Sequence, residues 1–415
     1  MIMRQGIIPS IFLLYWCTQN LFAQSPAPLS LQQAVNAYIE NSLEVQAANF
    51  RLERAKAEEI AARLRPNPGL TISAENLALN GPTPAGRLYE VGATYTETIE
   101  LGGKRQLREK AADSIVSAAE IQLEDTMRRG VADIKRLYLD ALLARANVDI
   151  ATENRETFDR LLQFNRIRFE EGAIPELELI KVRLERTRFE STIRQADVAL
   201  RQAVIRLLEK MGIVEFAPRE LAGSLDFAPA TFDFSTLRQF ASTERSDVRA
   251  ALAALTSAKA KLALERARAK PDLSPFAGYK RIGSDNTVLF GVNIPLKVRD
   301  SNQAEIARIE SDVKSAEVQL QIIRNHAIAE VEAASVSLQS ARTLVDTFRT
   351  ELLDPADEAR TITIAAYEEG GTELLPVLDA QRTRAEVREQ YFKSLFDYQA
   401  SVIALELAVG KEIQP

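Results

Sequence analysis

Among residue types that make bonds or hold metal, this 415-residue chain has a single histidine and a single cysteine. His326 sits midway along an expected helix beside Asn325. No second imidazole or thiolate completes a ligand set, so it reads as a solvated side chain. Cys17 falls in the first two dozen residues with Trp16, the only tryptophan. Gly102-Gly103-Lys104-Arg105 has the glycine and lysine of a phosphate cradle but lacks the Walker spacing, and a strand-to-helix turn accounts for it. No nucleophile–base pair emerges, and no cofactor is implied. Carboxylates remain. Glu176 and Glu178 follow one glycine turn, and Glu373 and Asp379 follow a second. There, at the start of helices, acids favour the positive end of the dipole. The chemistry on offer is electrostatic rather than covalent.

The elements that position these acids occur twice. Phe169-Glu170-Glu171-Gly172, followed by Pro175 and a helical run, returns as Tyr367-Glu368-Glu369-Gly370, followed by Pro376 and a helical run. The copies close on apolar stretches ending at Gly212 and Gly410. Upstream, Arg65-Pro66-Asn67-Pro68 matches Lys270-Pro271-Asp272. A period of this length far exceeds the roughly 20–50 residues of a solenoid unit. It marks an internal duplication: residues 24–213, a linker over 214–234 with Pro218, Gly223 and Pro229, and residues 235–415.

The net charge is −6 with 27% charged residues, so no basic surface argues for nucleic acid. Arg4, the apolar run Ile7–Cys17 and the small-residue site before Gln24 read as a signal peptide over residues 1–23. The exported chain then has no cysteine and no disulfide. No later segment supplies the 18 or so uninterrupted apolar residues of a membrane helix, so any crossing must use strands.

Helices are expected from Ser30 to Arg63, Lys104 to about Glu171, Glu176 to Met211, Ser235 to Lys270, Ser301 to Glu369 and Pro376 to Val409. Asp354-Pro355 is expected to kink the fifth of these. Nearly seventy residues in the second helix extend about 100 Å, too long for a globular core. On the fifth helix, Ile306, Ile309, Val313, Ala316, Leu320, Ile323 and Ala327, then Ala334, Ala341, Leu344 and Phe348, form a coiled-coil seam. Strands are expected at Leu70–Leu79 and Leu88–Leu101, joined by the loop Asn80–Gly86, and at Ser274–Ile282 and Thr287–Leu296, joined by Gly283-Ser284-Asp285-Asn286. Tyr89, Val91, Ala93 and Tyr95 share one face of the second strand. Four strands cannot close a sheet, and an open edge cannot sit in lipid. Spanning strands therefore demand an oligomer.

The duplicated helix–strand–strand–helix order, the Pro66–Pro68 entry, the repeated Phe/Tyr-Glu-Glu-Gly turn and the closing Ser401–Gly410 segment resemble the TolC family of outer-membrane efflux channels. Gly371-Thr372 with Val377-Leu378-Asp379-Ala380-Gln381-Arg382 is similar to that family's second periplasmic-tip motif. Arg65–Leu70 with Glu75-Asn76 is similar to the CzcC-type components of heavy-metal efflux pumps. The resemblance implies a mainly α chain with a small β part, trimerising into an α-barrel tunnel topped by a twelve-stranded β-barrel in the outer membrane. The cargo it implies is metal cations, with multidrug efflux or type I secretion as alternatives. Its implied partners are a periplasmic adaptor and an inner-membrane RND-type pump, besides outer-membrane lipid.

The resemblance further implies periplasmic tips at Gly172-Ala173-Ile174-Pro175 and Gly370-Gly371-Thr372, where the adaptor docks, and an acidic constriction. Asp379 matches one gate aspartate of the motif. The second matching position is Pro376, a departure, so Glu373, Glu176 and Glu178 are candidates for the missing charge. A ring of carboxylates at such a constriction favours cations. A periplasmic adaptor is a weaker reading, because adaptors carry one hairpin between halves of a β-domain. A structural coiled-coil protein of the envelope leaves the four strands without a purpose.

Overall fold

The structure, a computed structural model, describes residues 28–77, 80, 82, 84, 87, 89–229 and 232–413. The expected signal peptide and most of the Asn80–Gly86 loop lie outside these residues. The first half comprises α1 (Leu31–Asn41), α2 (Leu43–Arg63), β1 (Gly69–Glu75), β2 (Glu90–Thr96), α3 (Lys104–Glu170) and α4 (Glu176–Lys210). The second half repeats that order as α5 (Phe234–Glu244), α6 (Ser246–Arg268), β3 (Ser274–Ile282), β4 (Asp285–Asn293), α7 (Gln303–Thr347), a π-turn (Phe348–Leu352), α8 (Leu353–Glu368) and α9 (Leu374–Val409). No described helix is long and apolar enough to cross a membrane.

The first helix of each half is broken where one continuous helix was expected. Ser42 is extended and caps α2, its hydroxyl accepting from the Glu44 amide at 3.2 Å. Arg245 makes the equivalent break in the second half. Each break docks on the end of a returning helix. A Cβ at Gly212 would stand 2.7 Å from the Asn41 carbonyl, and one at Gly410 3.1 Å from the Arg245 side chain. Both glycines also have positive φ (80° and 93°), so substitution there meets both strain and a neighbour. The duplication thus survives as a paired joint.

α3 runs 67 residues without interruption, about 100 Å. Gly130 lies in its interior because the Tyr38 ring packs directly on it. A Cβ there would overlap the phenol, whose hydroxyl reaches the Thr126 carbonyl at 3.5 Å. The seam on α7 differs from expectation below Ala327. Val331, Ala334, Leu338, Ala341, Val345 and Phe348 are buried, while Leu344 is 46% exposed. The three-four alternation continues unbroken from Ala327 through Val331. Glu330 and Ser337 lie one position off the stripe. The expected kink before Pro355 takes the form of the π-turn, whose wider winding accommodates a residue lacking an amide donor.

The helices lie in a layer rather than a bundle. Near the strands the contact order is α2–α3–α6–α7, and farther away it is α4–α3–α9 with α7 and α8. A belt of α1, α5 and residues 211–229 and 232–233 covers one side of the layer. Tyr138 holds this belt by donating to the Leu29 carbonyl at 2.8 Å, and Arg145 by donating to the Leu221 carbonyl at 2.6 Å.

The four strands make one antiparallel sheet in the order β1-β2-β3-β4, leaving β1 and β4 as open edges. Each strand is shorter than read from sequence, except β3. The β3–β4 connection tightens to Gly283-Ser284, with Ile282 paired to Asp285. The positive φ of Gly283 (54°) suits the first central residue of a II′ turn. The register assigns the two faces. Leu70, Ile72, Val91, Tyr95, Tyr279, Val288, Phe290 and Val292 share one side, and all of them are exposed. Thr71, Ser73, Glu75, Glu90, Gly92, Thr94, Gly278 and Lys280 share the other. The first face is apolar and exposed except at its turn end, where Arg281 and Asn286 share it, the pattern of strands that meet lipid.

Candidate functional site

Two regions carry the charges an aqueous path would meet. The first is the polar face of the sheet. Near its loop end Lys280 pairs with Glu90 and, at 3.5 Å, with Glu75. Asn76, held at φ 56°, donates to Glu90 at 2.8 Å. At the opposite end, buried Lys104 donates to the Lys270 carbonyl and to Asp272, both at 2.7 Å. Asp272 also accepts from the Leu101 amide at 3.0 Å. Gly102 and Gly103 both adopt positive φ (75° and 70°) before α3 begins. Gly102-Gly103-Lys104-Arg105 is therefore the strand-to-helix turn the sequence suggested, with the lysine spent on tying two strand–helix joints together.

The second region is the far end of the helices. Both hairpin tips close in the same way. The Ala173 amide donates to the Arg168 carbonyl and the Gly371 amide to the Ala366 carbonyl, each at 2.7 Å, around Gly172 and Gly370 at φ 76° and 78°. This Schellman geometry places glycine at each turn because only glycine adopts it without cost. Gly172, Ala173, Pro175, Gly370 and Gly371 are exposed and Thr372 is half-buried. Ile174, grouped with them from sequence, is buried at 7% exposure, so its side chain anchors the turn rather than presenting itself.

The acids do not converge within one chain. Glu176, Glu373 and Asp379 are exposed and make no ion pair among the described residues. Glu373 is the N-cap of α9 without a side-chain hydrogen bond. Glu178 differs, being half-buried and accepting from the Tyr367 hydroxyl at 3.3 Å. That hydroxyl also bonds Asn165 of α3, and Arg168 lies over the tyrosine ring at 5.3 Å. Burial first, and then the Glu178 charge, push the phenol up to about 12, so it stays protonated and donating at any physiological pH. Tyr367 thereby clasps α8 to both helices of the other hairpin.

Tyr367 was passed over in the sequence, although a signal was present. The duplicated turn has Phe169 at the same place, 38% exposed, against 1% for Tyr367. The hydroxyl is the sole chemical difference between them. Around the clasp, Phe158, Leu161, Val182, Leu374, Val377 and Leu378 form an apolar plug joining both hairpins. Above it, Arg384 bonds Asp357 and, at 2.7 Å, Glu153, which also takes Arg388. Burial alone would raise the Glu153 carboxyl, but these two guanidinium groups outweigh it and hold it below the usual range. His326 is exposed, 3.4 Å from Glu330 one helical turn on. No group of three or more His, Cys, Asp or Glu that could hold a metal occurs among the described residues.

The profile of the outer membrane efflux protein family matches residues 34–212 and 237–411, the two halves of the duplication. The chain belongs to that family. It is 26% identical over 391 residues to the cobalt-zinc-cadmium resistance protein CzcC of Cupriavidus metallidurans, covering 94% of this chain and 91% of that one. It is also 26% identical over 336 residues to the nickel and cobalt resistance protein CnrC of the same organism, covering 78% of each. Among solved structures, CusC superposes with a TM-score of 0.75 at 21% identity, covering 99% of both chains. The outer membrane protein VceC of Vibrio cholerae gives 0.76 at 17%, covering 92% of this chain and 97% of that one. The mainly α fold with a small sheet is that of these outer-membrane channels.

Proposed function

We propose that this chain is the outer-membrane exit duct of a tripartite efflux system, working as a homotrimer and passing metal cations without any covalent step. The observation that carries this reading is the four-stranded sheet. It has one mainly apolar exposed face, one mainly polar face and two unpaired edges, and it is rooted on long helices of which α3 runs about 100 Å. Lipid tolerates no open edge, so β1 of one copy pairs with β4 of the next, and three copies give twelve strands. The polar face and the side of the helical layer opposite the belt then line the bore, since the belt is too bulky to fit inside. Residues 24–213 and 235–415 are the two repeats, joined by 214–234 after removal of residues 1–23.

The metal cargo is supported by the relatives named for cobalt, zinc, cadmium and nickel resistance. An inner-membrane RND-type pump drives the substrate, and a periplasmic adaptor docks on the tips at Gly172–Pro175 and Gly370–Thr372. Asp379, with Glu373 and Glu176, forms the acidic constriction there, while Glu178 serves the clasp.

Imaging of the protein extracted from outer membranes in detergent is expected to show threefold hollow tubes well over 100 Å long. Compact particles or solid rods would sink the duct. A second expectation concerns the closed state. Tyr367→Phe removes the donor to Asn165 and Glu178, a bond worth about 1.5–3 kcal/mol when one partner is charged, and should raise the leak conductance in planar bilayers. Asp379→Ala should also raise the leak and should lower the preference for cations. Leak and selectivity equal to wild type in both variants would remove these residues from the gate.

A further inference from the structure

We propose that Arg160, Arg360 and Thr157 form a binding site for a small oxyanion of the phosphate type, which staples α3 to α8 just above the Tyr367 clasp. Binding is a property of the folded chain and goes beyond the duct reading. Only its effect on a pore rests on that reading.

The site is a cavity of about 280 Å³ between the two hairpins. Thr157, Arg160 and Leu161 of α3 form one wall, and Arg360, Ile364 and Glu368 of α8 the other. Thr157, 2% exposed, is the point of convergence. Its hydroxyl accepts from Arg160 and from Arg360, each at 3.3 Å, and donates to the Glu153 carbonyl at 3.2 Å. Two guanidinium heads from different hairpins therefore meet at one oxygen, close enough to share one ligand. Neither makes an ion pair among the described residues.

Acceptors are scarce around them. The Thr157 oxygen already takes two N–H groups, and the Gln381 oxygen takes the Arg360 Nε at 2.6 Å. The Gln381 amide nitrogen, on a fully buried side chain, is left without an acceptor. Nearby carboxylates do not make up the shortfall. Glu153 is bonded to Arg384 and Arg388, and Asp357 to Arg384. Glu368 stands eight residues, about 12 Å, farther along α8 than Arg360. Like Glu156, one turn from Arg160, it forms no ion pair among the described residues. Burial first, and then the Arg384 charge, hold the Arg360 guanidinium below its ordinary range, with Arg160 adding to the pull against Glu153 and Asp357. For Arg384, burial is outweighed by its bonds to Asp357 and Glu153, which hold it above that range.

The partner these groups call for is therefore anionic and rich in acceptors. A guanidinium fork matches the spaced oxygens of an oxyanion, and two forks on one anion satisfy several N–H groups at once. Four oxygens at a water's share of roughly 30 Å³ each fill less than half of the cavity. Arg160 is exposed, so an ion enters from solvent. Once bound, it joins α8 to α3 seven residues, about 10 Å, from Tyr367, and so reinforces the clasp.

The test is calorimetric titration of phosphate into the detergent-solubilised full-length protein, with chloride at equal ionic strength as the reference. Wild type is expected to bind phosphate in preference to chloride. Arg160→Gln and Arg360→Gln should each weaken binding about tenfold, the scale of one charge lost beside the ion. Arg166→Gln, on the same helix in a surface pair with Glu170, should bind as wild type does. Because Arg160 is exposed, its variant keeps the test valid should Arg360→Gln fail to assemble. Phosphate held no better than chloride, or held equally by wild type and both variants, would overturn the site. In planar bilayers, phosphate should lower the leak of wild type and leave that of Arg160→Gln unchanged. A leak indifferent to phosphate despite binding removes the staple. The absence of any pore sinks the duct, while calorimetry still decides the site.

Discussion

Replacing Phe290 by arginine is expected to keep the protein out of the outer membrane, leaving unassembled chain in the periplasm. Phe290 is 85% exposed near the middle of β4, on the face shared with Val288, Tyr279 and Ile72. A guanidinium near the bilayer midplane costs about 2–4 kcal/mol in a β-barrel, and a trimer bears that cost three times. The matched control is Thr71→Arg, on the opposite face of the neighbouring half-sheet. It points into water on the present reading, so assembly should survive while cation preference falls. Fractionation of the two variants reads the outcome directly. If both assemble alike, or if only the Thr71 variant is lost, the lipid and lumen faces are misassigned.

Gly130→Ala should destabilise the protein even though alanine is the better helix former by about 1 kcal/mol. The new methyl overlaps the ring of Tyr38, which is fully buried. Overpacking of this kind costs about 1–3 kcal/mol, enough to reverse the propensity gain, and Gly130→Val should be worse. A cycle with Tyr38→Leu identifies the cause. The double variant should lose markedly less stability than the two single losses combined, because removing the ring removes the overlap. Simple additivity would mean the glycine is required for some other reason. The second half avoids this tight fit, since the fully buried Ala241 occupies its short helix instead.

Much of this architecture could be read from residue order, and what could not follows a pattern. Prolines, glycines and the repeated Glu-Glu-Gly turn located the long helices within two residues, because backbone punctuation acts locally. The breaks at Ser42 and Arg245 escaped because helix-forming sequence continues on both sides of each, and the distant helix ends that dock there leave no local trace. The lower seam slipped at Leu344 because Ala341 and Phe348 fit a three-four spacing through either Leu344 or Val345, and only packing chooses between them. Strand existence was legible, but the lipid face was not, since it depends on which residue of β1 opposes which of β2. For the site, Asp379, Glu373 and Glu176 were visible as acids after turns. Glu178 looked identical to them in sequence and differs only because Tyr367 reaches it from the other hairpin. Thr157 had no signal at all, since two guanidinium groups converge on it only once the hairpins pack together.

The π-turn at Phe348–Leu352 has a consequence for symmetry. Its wider winding absorbs one residue, about 100° of α-helical rotation, so the sequence positions that face the neighbours shift by one beyond it. The buried stripe of α7 passes from Phe348 to Ala356, eight residues rather than the seven of a two-turn step, and goes on to Tyr367 of α8, a shift of register that uninterrupted α3 does not have. The two hairpins of the duplication therefore present their matched positions differently near the tips, Phe169 exposed and Tyr367 buried. In the proposed trimer, a ring of six such hairpins is hexagonal in ancestry but only trigonal at the tips, with alternate spokes of different shape. Closing and opening then need not be a collective twist of six equal parts, because three spokes can move while the other three serve as the frame.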